Sequence, residues 1–211
     1  MKTLDFMQTR EMLLHTAAAI IEAKPMLTEI DSKIGDGDHG IGMELGMKKA
    51  SAQLEQMLNG DNVFSLFSEM GKAMLMSMGG ASGVIFGTLF MGGAKGKNAA
   101  SLDCRALAQW LEDSRAAIQK RGGANVGDKT MVDALVPAAA AAMSYTGDDL
   151  AEMLSLAEEA AKQGVEETKQ YQAKFGRAKS LMERSIGYQD AGATSTWIIL
   201  KAMREYCEGV E

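Results

Sequence analysis

Along most of the chain apolar residues recur at three- and four-residue steps, the spacing of one buried face on an α-helix. From Leu4 to Glu22, residues Met7, Leu14, Ala17, Ala18 and Ile21 keep that step, and Pro25 then breaks the run. Similar patterns predict helices over 40–59 (Ile41, Leu45, Leu54, Leu58), 62–78 (Val63, Phe67, Met70, Met74) and 82–95, the last capped by Ser82. Ser101 is expected to cap the next, which carries Ala106, Leu107, Trp110, Leu111 and Ile118 and stops at Gly122-Gly123. Thr130 and Asp133 form a variant capping box ahead of Leu135 and the alanines at 138–142; Pro137 either kinks this sixth helix or lies near its first turns. A seventh long stretch covers 149–175, and a last helix covers 192–208 with Trp197, Leu200, Lys201 and Met203. Thr194 to Ile199 is the one strand-like run, and without partner strands it is expected to be helical. Eight helices result.

Composition supports one globular, all-helical unit over residues 1–211. Hydrophobic residues make up 46% of the chain, enough for a core without disulfides or metals. The two prolines and the wealth of alanine, methionine, leucine, glutamate and lysine favour helix. Seventeen methionines at helical spacing read as gap-filling core. A net charge of −6, with no basic tail, argues against broad contact with nucleic acid. Cys104 and Cys207 match no metal or redox spacing, and charges at Asp5, Arg10 and Glu11 interrupt any export leader, so a reduced cytoplasmic setting is expected. The uncharged stretch between Lys72 and Lys95 is long enough for a membrane span. Six glycines between Gly79 and Gly93 punctuate it, however, so two buried segments around a glycine-rich turn are expected, and no membrane partner.

Candidate chemistry begins with Asp31-Ser-Lys-Ile-Gly-Asp36-Gly-Asp38-His39-Gly40, read as a stretch between two helices. Three carboxylates this close repel, and divalent cations explain the concentration most simply; oxygen-only ligands suit magnesium. A solvated acidic turn with aspartate as helix cap is the other reading. The glycines at 35, 37 and 40 also fit a dinucleotide fingerprint, but no hydrophobic strand precedes them and Asp36 and Asp38 would repel a bare pyrophosphate. Calcium-loop and Walker spacings are missing as well. Gly79-Gly80-Ala81-Ser82-Gly83 precedes a helix, so its backbone N–H groups suit an anion, or its small residues serve close packing. Gly122 to Thr130 is a second polar, glycine-bearing loop opening a helix; Lys169, Lys174, Arg177, Lys179 and Arg184 make the region before the last helix basic. In an up-and-down array, loops after odd-numbered helices gather at one end, so these four segments would surround one site. His39 adjoins the acidic stretch and suits a phosphate or nucleotide contact, with no nucleophile partner evident in sequence; His15 lies mid-helix as a packing or surface residue.

Together, Gly35-Asp-Gly-Asp-His-Gly40, Gly79-Gly-Ala-Ser-Gly83, Gly127-Asp-Lys-Thr-Met131, Gly176-Arg-Ala178 and Glu183-Arg-Ser-Ile-Gly187 resemble the nucleotide-binding L subunit of bacterial dihydroxyacetone kinases, in order over nearly the whole chain. The resemblance implies a closed barrel of eight antiparallel helices with the nucleotide at one end. It implies that Asp31, Asp36 and Asp38 hold two magnesium ions bridging the phosphates of ADP or ATP. His39, Gly40, Ile41 and Gly42 would line the nucleotide, Ala81 and Ser82 would meet phosphates, and Gly122, Thr130, Met131, Arg177, Asp190, Ala191 and Gly192 would complete the pocket. Tyr188 and Ala191 depart from the family's frequent His-Gln-Asp-Pro-Gly, which affects the pocket edge.

By the same resemblance the chain acts only in complex. A K subunit holds dihydroxyacetone, and in the phosphotransferase-coupled type an M-subunit phosphocarrier recharges ADP in place. Rival expectations are an ATP-using kinase subunit for another ketose, such as the tetrulose erythrulose, and a nucleotide-binding regulator of a transcription factor.

Overall fold

A computed structural model of the chain describes residues 1–209. Its helices are α1 (Phe6–Glu22), α2 (Lys24–Ile34), α3 (His39–Leu54), α4 (Val63–Ser77), α5 (Gly80–Ala94), α6 (Cys104–Gly122), α7 (Val132–Ser144), α8 (Leu150–Thr168) and α9 (Ala191–Gly209). A 3₁₀ segment, Arg177–Ser185, precedes α9. Around the molecule α1 packs on α3, each helix from α3 to α9 packs on the next, and α9 returns to α1. That closes an all-α barrel with eight members, as expected. The additional helix, α2, lies against α3 and α9.

α2 is an addition to the helices expected from periodicity, where Pro25 reads as a stop. α1 does end at Glu22, but Pro25 falls in the first turn of α2, where a missing N–H costs nothing and the fixed φ suits a helix start. Other boundaries also move. α1 starts at Phe6, capped by Asp5, whose carboxylate accepts from Gln8 N while the Gln8 side chain accepts from Asp5 N. Thr3–Leu4 instead pairs antiparallel with Leu102–Asp103, a two-residue ladder too short for any period to reveal. Asp103, not Ser101, caps α6 by accepting from Ala106 N at 2.7 Å. Ser82 lies inside the first turn of α5, whose N-cap Gly79 offers no side chain. The Gly122-Gly123 stop holds, with Gly123 at φ +72 and its N–H on the Gln119 carbonyl. Pro137 lies inside α7, and Thr194–Ile199 is helical within α9.

Inside the ring the core is dominated by methionine, leucine and one aromatic stack. Met12, Met43, Met47, Met70, Met74, Met153 and Met203 are fully buried. Trp110 stands 4.7 Å from Phe67 and 5.9 Å from Phe90, ring centre to ring centre. Its indole N–H donates to the Phe90 carbonyl, and the Ser114 hydroxyl donates to the Leu89 carbonyl, so α6 is hooked onto α5. Close approach there depends on Gly93, since a Cβ would lie 2.2 Å from Ser114 Oγ and 2.3 Å from the Trp110 carbonyl oxygen. Both cysteines are free and buried, and loss of solvation pushes their thiols up to about 11 for Cys104 and about 12 for Cys207. No helix among the described residues is long and apolar enough to cross a membrane.

Gly93→Ala is therefore expected to force α5 and α6 apart and to cost about 1–3 kcal/mol, the range for overpacked cores. Urea unfolding followed by circular dichroism measures it; an unchanged midpoint would show that the α5–α6 contact yields without cost.

Candidate functional site

Consecutive helices around a ring alternate in direction, so the N-termini of α3, α5, α7 and α9 gather at one end. A cleft of about 590 Å³ opens there, within the range of small-molecule sites. Its walls are the end of α2 with Asp31 and Ile34, the turn through Asp36 and Asp38, His39, Ile41 and Gly42 from α3, and Gly79 to Ser82 from α5. Lys129 to Met131 before α7, Phe175 to Ala178, and Asp190 to Gly192 at the start of α9 complete it. The four segments singled out in the sequence thus converge on one place. Gly40 and Gly122 stand behind the lining. A Cβ on Gly40 would lie 2.4 Å from Thr28 Oγ1 and 2.5 Å from the Lys24 carbonyl, so this glycine lets α3 meet α2; Gly122 backs onto Ile85.

Asp31 is placed differently from expectation: it sits on the last turn of α2, not in the loop. From there one carboxylate oxygen accepts from His39 N at 3.2 Å, tying α2 to α3. Asp31, Asp36 and Asp38 bring carboxylate oxygens within 4.8 Å of one another. Burial, and then the neighbouring Asp36 carboxylate, push the Asp38 carboxyl above the usual carboxylate range; Arg177 opposes this. Arg177 reaches over from the 3₁₀ segment, its Nε 2.8 Å from Asp36 Oδ2 and a terminal nitrogen 3.7 Å from Asp38. One guanidinium against three carboxylates leaves the cluster net negative. An all-oxygen donor set of that charge fits hard divalent cations such as magnesium, with Asp31, Asp36 and Asp38 as the residues to hold them.

Opposite the cluster the electrostatics reverse. α5 begins without a side-chain cap, and Gly80 takes φ +67, a left-handed turn that glycine adopts without strain. The free N–H groups of that first turn, with the Ser82 hydroxyl beside them, form a donor site for anions. The N-cap residue of α3, Asp38, likewise makes no capping bond, although Asp31 takes the first N–H of that helix. The start of α7 is stiffened instead: the Asp133 carboxylate accepts from Gly127 N and Thr130 N, one of the two bonds of the expected capping box, while Thr130 Oγ1 accepts from Val132 N, not Asp133 N, and Met131 is the N-cap. Asp128 accepts from Asn125 N and pairs with Lys174 at 2.7 Å, which ties this loop to the approach of the 3₁₀ segment.

His39 has a partner that the sequence did not reveal. Its Nε2 lies 2.8 Å from the Ser195 hydroxyl on α9, 156 positions away, and its ring stands 5.8 Å from Phe86. Burial holds the imidazole below its ordinary pKa, against the pull of Asp31 and a hydrogen bond at Ala191. His39 therefore lines the cleft as a neutral ring. His15 is exposed, as expected of a surface position.

Residues 33–205 match the family model described as the DAK2 domain. The chain belongs to the DhaL family. It is 36% identical to the ADP-binding subunit DhaL of a PEP-dependent dihydroxyacetone kinase of Listeria innocua, over 92% of this chain and 91% of that one. With the corresponding Escherichia coli subunit the identity is 38%, over 84% and 85%. The crystal structure of the dihydroxyacetone kinase from C. freundii in complex with AMP-PNP and Mg2+ superimposes with a TM-score of 0.70 at 27% identity. That match covers 93% of this chain and 33% of the kinase, so the DhaL chain spans about a third of that protein.

Within this DhaL chain Asp190 gives the cleft a pH signature. Loss of solvation raises its carboxyl to about 7, while the Ala193 N–H bond and Lys129 pull it down and Asp133 and Asp31 push it up. An unfolded aspartate titrates near about 3.9, so between the two values the folded chain keeps a proton that the unfolded chain has released. Stability then falls as pH rises through that window, by no more than about 1.4 kcal/mol per pH unit. Buried His39 acts with the opposite sign, costing stability as pH falls below about 6.5. Asp190→Asn, which keeps a cap acceptor for Ala193 N, is expected to gain on the wild type from pH 5 to about pH 7 in denaturant unfolding and to level off above it. A difference that is constant across that range would contradict the assignment.

Proposed function

We propose that residues 1–211 form one nucleotide-binding domain, the ADP-binding L subunit of a dihydroxyacetone kinase, acting in the cytoplasm. The observation that carries this reading is the meeting, in one cleft, of three clustered carboxylates with the N-terminus of α3 and the uncapped N-terminus of α5. Similarity to ADP-binding subunits over nearly their full length supports it. Phosphoryl transfer asks a protein mainly to position phosphates and offset their charge. Two magnesium ions held by Asp31, Asp36 and Asp38 would supply that neutralisation.

The chain's own residues do the rest. Backbone N–H groups at Ala81 and Ser82 donate to phosphate oxygens. Arg177, which pairs with Asp36 and Asp38 and lines the cleft, would offer its guanidinium to the phosphates. Ile41, Gly42, Met131 and Ala191 offer apolar wall to the nucleoside, and neutral His39, fixed by Ser195, adds one polar contact. None of the side chains in the cleft is a covalent nucleophile in this scheme. The acceptor, dihydroxyacetone, is carried by a separate K subunit docked at the mouth, and the PEP dependence named for the relatives supports recharging of the bound ADP by an M-subunit phosphocarrier.

Purified protein, desalted extensively in magnesium buffer and then denatured, is expected to release about one ADP per chain, as a tightly held cofactor does. An empty protein that binds added ATP reversibly would replace the phosphocarrier-coupled reading with an ATP-dependent one. Asp36→Asn is expected to lose retained nucleotide while keeping its helical circular dichroism. Retention equal to the wild type would remove Asp36 from the site.

A further inference from the structure

Lys129 is buried, 2% exposed, in the loop before α7, and it holds the backbone at φ +61 without being a glycine. That conformation is strained for a residue with a side chain, and the side chain is buried. There the ammonium donates to two main-chain carbonyls, Thr168 at the end of α8 and Tyr188 in the turn before α9. No carboxylate lies within ion-pair distance of it among the described residues, although Asp190 and Asp133 act on it from further away. A buried charge answered only by carbonyls is costly unless it fixes something.

What it fixes is the turn through residues 187–192. Gly187 N donates to the Lys169 carbonyl at 2.7 Å, and Asp190 N donates to Thr168 Oγ1 at 3.0 Å, so the turn is stitched to the end of α8 at the same place. Asp190 then caps α9 through Ala193 N at 2.7 Å. Lys129, Asp190, Ala191 and Gly192 all line the cleft. The ammonium also sits on the last carbonyl of α8, that of Thr168, at the negative pole of that helix.

We propose that Lys129 is a positioning residue: by holding the carbonyls of Thr168 and Tyr188 together it sets the 187–192 turn and the start of α9 as the wall against which the nucleotide is bound. The proposal rests on the nucleotide reading of the cleft. Lys129→Met keeps the length and apolar stem and removes the ammonium; Lys129→Gln keeps N–H donors without charge and serves where the Met variant does not fold. Three readouts on the full chain separate the roles: amide hydrogen exchange by segment, Mg·ADP affinity by calorimetry, and Mn2+ binding without nucleotide.

In the Met variant, exchange is expected to rise at least tenfold in 187–192 and to stay unchanged in α3 to α6. ADP affinity falls roughly 10- to 100-fold, the scale of lost hydrogen bonds to a charged group. Mn2+ affinity stays within twofold, and the Gln variant lies between Met and wild type in exchange and ADP affinity. Exchange rising throughout the barrel with ADP affinity unchanged below the melting temperature would show a merely structural lysine and overturn the proposal. A wild type that binds no ADP would instead sink the nucleotide reading, leaving the exchange pattern alone to decide whether Lys129 sets the turn.

Discussion

Three carboxylates brought within 4.8 Å of one another, faced by a single guanidinium, are the constraint around which this end of the barrel is organised. Such a cluster costs folding free energy through repulsion and lost solvation, as the raised Asp38 carboxyl shows. The fold tolerates it because Asp31 is anchored on α2 and accepts from His39 N, and because helix N-termini bring positive partial charge to the same face. Charges of both signs are thus presented to one cleft without cancelling each other. Phosphates held through metal ions, as proposed, would satisfy both halves at once.

The barrel supplies this arrangement through its topology. Alternating helix direction sends every second N-terminus to one end, so the site is built from glycine-bearing connections, the longest being the 169–190 stretch that carries the 3₁₀ segment. Their conformations are held by side chains set back from the cleft lining. Asp133 braces the loop before α7, Asp128 and Lys174 link it to the 3₁₀ segment, and Ser195 steadies His39. The apolar side of the same economy is the α5–α6 contact, where Gly93 brings two helices close enough for Trp110 and Ser114 to reach main-chain carbonyls.

Much of this was legible from the chain alone. Helical periodicity marked the eight barrel members, and glycine with polar residues marked the four connections, because both are local properties of a dozen residues or fewer. The misses share a cause. Pro25 ends one helix and begins the next, and only the backbone path tells these apart. Asp103 displaces Ser101 as a cap because a two-residue strand pairing with Thr3–Leu4 fixes where α6 begins. The Ser195 partner of His39 and the carbonyl partners of Lys129 lie far off in sequence, and no period or motif encodes a contact with a distant main-chain atom.

Dependence of nucleotide affinity on the carboxylate cluster is the centre of the functional reading, and calorimetric titration of nucleotide-stripped protein with ADP reads it directly. With magnesium present, saturable binding of one ADP per chain is expected; in EDTA, affinity is expected to fall by at least a hundredfold, because bare phosphates then face three unscreened aspartates. Equal affinity in magnesium and in EDTA would contradict a metal-bridged site and leave the carboxylates without the role assigned to them.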